Sequence, residues 1–254
     1  MNKESGKINI FLLLGILAIL VVVGFLIYQT FSGYKELLGN QGLTPEGATS
    51  SGEEIATNTA NSGVANETTT IMIGRALEDK NILMVIAFKD FRDEEYFIPQ
   101  QLFLVSGADV KTASDEKGTA IGAEGGSVPI DFLIKEVDLS AFDAVVFIGG
   151  AGTLERLDNE DSYKLAQKTI QQDKVLAAIC IAPVVLAKAG VLEGKKATVW
   201  SSPLDESAIK ILQDNGAIFE EAKAIVADGK IITGAGPEIA EGFGMKIIEV
   251  LTGI

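Results

Sequence analysis

The chain has 254 residues, 47% of them hydrophobic, with a formal net charge of -14, one cysteine and no histidine. That is apolar material enough for a packed core, which excludes a disordered or fibrous chain. The acidic balance without a basic cluster excludes nucleic-acid binding, which needs lysine and arginine gathered on one face. A lone thiol closes no intramolecular disulfide, and without histidine a Cys/His zinc site is excluded, so neither metal nor cofactor is expected.

Residues 1–7 carry Lys3 and Lys7 against a single Glu4, and Ile8 to Tyr28 follow without any charge. Some twenty apolar residues rising about 1.5 Å each span a bilayer core, so residues 8–28 are expected to form a retained transmembrane helix. A cleaved signal peptide would have a shorter apolar stretch ending at a small-x-small site, whereas this run continues into Phe25, Leu26, Ile27 and Tyr28. The positive flank predicts a cytoplasmic N-terminus, a single membrane pass and an extracytoplasmic remainder. Residues 29–78 read as a juxtamembrane segment and flexible tether. From Gly39 to Thr70 this stretch is rich in Gly, Ser, Thr, Asn and Ala and lacks aromatics, and it carries a glycosylation sequon at Asn66.

Residues 79–254 alternate short continuous apolar runs with helical periodicity. Ile82–Phe88, Ala144–Ile148 and Val175–Ile179 read as parallel strands covered on both faces. Glu94–Val105, Ser162–Gln172, Pro183–Ala189, Glu206–Asn215 and Ile239–Leu251 read as helices. Such alternation predicts an α/β domain with a mostly parallel sheet between helices, and ligand sites in such sheets lie at the carboxyl ends of the strands.

Three segments therefore matter: those after Phe88, Ile148 and Ile179. The third leads straight into Cys180, flanked by Ala178 and Ala182, and then into a helix opened by Pro183. Small residues at i-2 and i+2 allow a sharp strand-to-helix turn, the geometry of a nucleophile elbow, and the helix start is expected to lower the thiol pKa. The second segment holds Gly149 and Gly150, whose backbone N–H groups can approach a ligand closely and form an oxyanion hole facing Cys180. The first, Lys89 to Glu95, reads on its own as a solvated acidic helix start.

Three blocks together resemble one family. AAICIAPVVLAKAGVLEGKKAT (Ala177–Thr198) is similar to the nucleophile segment of the DJ-1/PfpI family, within the class I glutamine amidotransferase-like superfamily. FDAVVFIGGAG (Phe142–Gly152) resembles its strand and Gly-Gly turn, and DGKIITGAGPEIAEGFGMKIIEVL (Asp228–Leu251) its last strand, Gly-Pro turn and C-terminal helix. The resemblance implies a flavodoxin-like three-layer sandwich and a homodimer. It implies Cys180 as nucleophile and Glu95, four residues before Pro99, as a protonated acid hydrogen-bonded to the sulfur, with Gly149, Gly150 and Ile181 lining the oxyanion pocket. Glu94 is the neighbour expected to be solvated.

The departures are as informative. Where protease-like relatives carry histidine after the nucleophile this chain has Ile181, and where another branch has histidine it has Ser202. Glu155 falls one position out of register with an acidic residue of proteolytic members and receives no role. A histidine-dependent peptidase is therefore disfavoured. Three functions stay open: a cysteine enzyme acting on small reactive carbonyls, a redox-sensing or protective protein working through oxidation of Cys180, and a non-catalytic binding module.

Overall fold

The computed structural model describes residues 75–221 and 224–253. The expected membrane helix over 8–28, the tether as far as residue 74 and the Asn66 sequon lie outside the described residues. Among the described residues no helix is long and apolar enough to cross a membrane.

In chain order the strands are β1 (Asn81–Val85), β2 (Lys89–Phe91), β3 (Asp109–Ser114), β4 (Thr119–Gly122), β5 (Ser127–Pro129), β6 (Phe132–Leu133), β7 (Ala144–Phe147), β8 (Val175–Ile179), β9 (Lys196–Ala197), β10 (Ile218–Phe219), β11 (Ile225–Asp228) and β12 (Ile231–Gly234). The helices are α1 (Asp93–Val105), α2 (Thr153–Arg156), α3 (Glu160–Gln171), α4 (Pro183–Lys188), α5 (Ser207–Asp214) and α6 (Ala240–Thr252). Seven strands form the main sheet in the order β11-β12-β8-β7-β1-β3-β6. Every pairing in it is parallel except the β11–β12 hairpin at one edge. A small sheet β2-β4-β5 and the pair β9–β10 flank it.

Side chains alternate across each strand and divide the interior in two. Ile82, Met84, Val146, Ile148, Ala177 and Ile179 join Tyr96 and Phe103 of α1 and Phe243 and Ile247 of α6 in one core. Leu83, Val85, Val145, Phe147, Leu176 and Ala178 join Leu165 of α3, Val184 and Leu186 of α4 and Leu212 of α5 in the other. This is an α/β/α sandwich with a mostly parallel sheet. Because both faces are covered, its central strands read as unbroken apolar runs rather than alternating ones.

The structure departs from the sequence reading at the first strand, which ends at Val85 rather than Phe88. Ile86 and Ala87 stay fully buried, but the chain here turns out of the main sheet. Phe88 N–H donates to Asp115 Oδ1 at 2.9 Å, and Ile121 N–H donates to the Phe88 carbonyl at 3.0 Å. The apolar run thus reports burial, and only its first half reports a strand. The turn carries the chain into β2 and on to α1, so the loop after β1 lies over the carboxyl ends of β1 and β7. The strand order reverses there, because β1 is followed along the chain by β3 on one side and later by β7 on the other.

Candidate active site

Cys180 directly follows β8 and has φ of 61°, in the left-handed region that a side chain rarely adopts. The surroundings hold it there. Cys180 N–H donates to the Gly234 carbonyl at 2.8 Å, continuing the β8–β12 ladder, and Trp200 N–H donates to the Cys180 carbonyl at 2.9 Å. Ala182 N–H then reaches back to the Ile179 carbonyl at 3.1 Å, and Pro183 starts α4. The sharp strand-to-helix turn expected from the flanking alanines is present, and the half-buried thiol stands at its apex.

Glu95 comes from the first turn of α1 and is fully buried. Its helix continues through Pro99, which has no N–H to offer the Glu95 carbonyl. Glu95 Oε2 accepts the Gly149 N–H at 3.0 Å, while Oε1 is buried with no partner other than the adjoining Cys180 thiol. Burial raises the carboxyl pKa from 4.5 to about 7, against the opposing pull of Cys180, the Gly149 N–H and Arg92. The acid expected beside the sulfur is therefore in place, and near neutral pH it is poised between its two protonation states.

The thiol behaves differently from the expectation. Burial pushes the Cys180 pKa up, and the Glu95 carboxyl raises it further, while the N–H groups of Ile181 and Gly150 pull the other way. A helix start lowers a thiol pKa where water and positive charge reach the sulfur. In this site desolvation and a neighbouring carboxylate outweigh it.

The oxyanion residues divide between two tasks. Gly149 is buried and its N–H is taken by Glu95, so it positions the acid. Gly150 and Ile181 keep their N–H groups on the sulfur side. Close approach explains the glycines. A Cβ on Gly149 would lie 2.6 Å from Cys180 Cβ and 2.7 Å from Glu95 Oε2, and one on Gly150, at φ of 121°, would lie 2.4 Å from the Asp90 carbonyl oxygen. Arg92 N–H donates to the Gly149 carbonyl at 2.9 Å and Gly152 N–H to the Asp90 carbonyl at 3.1 Å, locking the loops after β1 and β7 together.

The acidic helix start is not simply solvated. Asp93 is buried and accepts the N–H groups of Glu124 at 2.8 Å and Gly126 at 2.7 Å, tying α1 to the turn between β4 and β5. Glu94 is part-exposed and paired with Arg92 at 2.9 Å. Glu155 is exposed on α2, and Ser202 pairs with Asp205 in a short bridge beyond the pocket.

A cleft of about 490 Å³ opens over Cys180, lined by Arg92, Gly150, Ala151, Leu154, Ile181, Trp200 and Pro237. Of these, Leu154, Trp200 and Pro237 were not singled out by the sequence. Their signal is a tertiary one, since each belongs to a different segment brought to the strand ends by the topology.

The family profile of DJ-1/PfpI matches residues 80–250 of this chain. The chain belongs to the DJ-1/PfpI family. This DJ-1/PfpI domain is 39% identical over 176 residues to an uncharacterized protein of Methanocaldococcus jannaschii, covering 69% of this chain and 84% of that protein. It is 30% identical over 155 residues to the deglycase PfpI of Pyrococcus furiosus, covering 61% of this chain and 90% of the deglycase. Among solved structures, the ThiJ/PfpI domain protein from Brachyspira murdochii superposes with a TM-score of 0.65 at 32% identity, covering 70% of this chain and 98% of that one.

Proposed function

We propose that this DJ-1/PfpI chain is a cysteine enzyme acting on small α-oxoaldehydes, with Cys180 as nucleophile and Glu95 as its acid and base. The observation that carries this reading is the fully buried Glu95 carboxyl, its pKa raised to about 7, set against the only thiol of the chain as its side-chain partner. A base whose pKa lies near the working pH combines a usable ionised fraction with enough basicity, and it dispenses with histidine. The relative named deglycase in Pyrococcus furiosus fits carbonyl chemistry.

In the first step the Glu95 carboxylate takes the thiol proton as Sγ attacks the aldehyde carbon. The C–S bond forms, the carbonyl π pair moves to oxygen beside the N–H groups of Gly150 and Ile181, and the proton passes from Glu95 to that oxygen. Glu95 then moves the proton of the former aldehyde carbon to the ketone oxygen, giving an enediol, and moves the proton of the former aldehyde oxygen to the adjacent carbon, giving a thioester and leaving Glu95 ionised. Water hydrolyses the thioester to a 2-hydroxy acid and regenerates the thiol. The net reaction adds one water and needs no external oxidant or reductant. A raised thiol pKa is no obstacle, because the proton leaves as the sulfur attacks.

The test is turnover of methylglyoxal to lactate by the purified protein, followed by NMR. Activity is expected to rise with pH through about 7 as Glu95 ionises, and to vanish in Cys180→Ala and Glu95→Gln. Peptide amides and casein should resist. Amide cleavage needs a proton delivered to a poor leaving amine, a contribution of about 10²- to 10⁴-fold, and no histidine is available to supply it. Robust peptide cleavage lost in Cys180→Ala would overturn the assignment.

A second reading is favoured by the N–H groups of Gly150 and Ile181 flanking the sulfur. They can receive the oxygens of a sulfinic acid formed when two peroxides oxidise Cys180 and release two waters. Gain of two oxygens at Cys180 under mild peroxide, without carbonyl turnover, would select it over the enzyme.

Two further parts of the proposal concern setting. The apolar run over 8–28 behind Lys3 and Lys7 supports a single-pass anchor with the Cys180 domain outside the cytoplasm. Digestion of intact cells with external protease should remove the domain, and protection would contradict the topology. The family resemblance supports a homodimer, which sedentation of size by analytical ultracentrifugation should return as a species of twice the chain mass.

A further inference from the structure

We infer that Trp200 is the specificity-determining residue of the cleft and that it selects α-oxoaldehydes carrying an aromatic substituent over those carrying a methyl group. The inference rests on the proposed carbonyl chemistry at Cys180 and names its substrate class.

Four observations lead there. The walls of the cleft are apolar, formed by Leu154, Ile181, Trp200 and Pro237. Ile181, the residue immediately after the nucleophile, adds a branched hydrocarbon to that lining. Among the described residues lining the cleft, Arg92 is the one charged side chain. It is held by Glu94 at 2.9 Å and Glu124 at 3.2 Å, so its charge is already neutralised by two carboxylates and is poorly placed to anchor an anionic substrate. Trp200, finally, is 38% exposed and lines the cleft.

The backbone fixes where that indole is rooted. Trp200 N–H donates to the Cys180 carbonyl at 2.9 Å, so the ring is carried by the residue bonded directly to the elbow. It follows β9 and the buried Thr198 and Val199, the first of which donates its N–H to Thr233 Oγ1 at 2.8 Å. The root of the ring thus stands at a set position relative to the elbow, in the same cleft as Cys180, and a flat substituent on the carbon next to the attacked carbonyl can pack against it. Aromatic pairs gain attraction beyond the apolar area they bury, and a pocket of this volume and lining is of the kind that encloses an aromatic molecule. A methyl group in the same place leaves the indole wet.

Trp200 is also the single tryptophan of the chain, so its fluorescence reports on the cleft alone. In the full-length Cys180→Ala protein, titration with 1-phenyl-1,2-ethanediol should perturb Trp200 emission with a Kd about tenfold or more below that of 1,2-propanediol. In the unsubstituted protein, kcat/KM for phenylglyoxal should exceed that for methylglyoxal by about tenfold or more. Trp200→Ala should collapse this ratio towards one, and Trp200→Phe, which keeps a flat ring, should restore most of it. Equal affinity for the two diols overturns the inference, as does a substrate ratio indifferent to Trp200→Ala in a variant whose circular dichroism is unchanged. Preference for the phenyl diol with no turnover of either oxoaldehyde supports Trp200 as the selector and refutes only the carbonyl chemistry.

Discussion

Gly149→Ala is the sharpest test of the geometry around the thiol. A Cβ at this position would stand 2.6 Å from Cys180 Cβ, 2.7 Å from Glu95 Oε2 and 2.9 Å from the Ile179 carbonyl oxygen. Only the Glu95 carboxyl can move aside easily. Ile179 is held in β8 between β7 and β12, and Cys180 sits on a constrained left-handed turn. Overpacking a core in this way costs about 1–3 kcal/mol, and displacing Glu95 from the Gly149 N–H adds about 1–3 kcal/mol for a buried group left unsatisfied. A total of about 3 kcal/mol lowers the melting temperature of a domain this size by roughly 6–12 °C. Thermal unfolding by circular dichroism measures this, and iodoacetamide labelling of Cys180 followed by mass spectrometry reads the site in the same samples. Labelling at pH 7.5 should slow, because a displaced Glu95 no longer takes the thiol proton as the sulfur attacks. A variant that melts within about 1 °C of the parent and labels at the parental rate would refute the close packing of Gly149, Glu95 and Cys180.

Glu95 also makes stability depend on pH. Its pKa is raised on folding from 4.5 to about 7, so the folded state holds the proton longer; the associated stability is fully present below 4.5 and is lost as pH rises through about 7, a loss of roughly 3 kcal/mol. Urea unfolding of the parent against Glu95→Gln at pH 5 and pH 8 should show the parent losing ground to the variant at the higher pH. At the elbow, Cys180→Gly should be more stable than Cys180→Ala by about 1 kcal/mol, because only glycine accepts a φ of 61° without strain; urea midpoints compare the two. Asp93→Ala should cost about 2 kcal/mol in the same assay, as it strands the N–H groups of Glu124 and Gly126.

The most legible parts of the fold were those with a local cause. Val175–Ile179 was bounded to the residue because five consecutive apolar residues end at a cysteine and a proline, and the helix over Asp93–Val105 was placed within one residue. The strands β3 to β6 carry no comparable apolar run. Asp109–Ser114 is a mostly polar segment whose inner residues, Thr112 and Ser114, are buried with hydrogen-bond partners rather than by apolar character. At the site, Cys180 was visible from its flanking alanines, whereas Glu95 was visible only through family resemblance. Read alone it is one of three acids opening a helix, and whether such an acid is solvated, ion-paired or buried depends on β4, β5 and β7. The direction of the thiol pKa is not legible in the sequence for the same reason. The helix start is a sequence feature, but the desolvation and the adjoining carboxylate that override it exist only once the chain is folded.

The reacting pair and the walls of the cleft are built by different means. Cys180 and Glu95 are set by main-chain N–H groups donated from Gly149 and Trp200, by the Gly234 carbonyl that accepts the Cys180 N–H, and by the absence of Cβ atoms in the glycine turn. Leu154, Trp200 and Pro237 contribute side chains from three separate segments. Because the first group does not depend on the identity of the second, such a scaffold can exchange its wall residues one at a time while the chemistry persists. Selection can thus retune what enters the cleft without rebuilding what happens inside it.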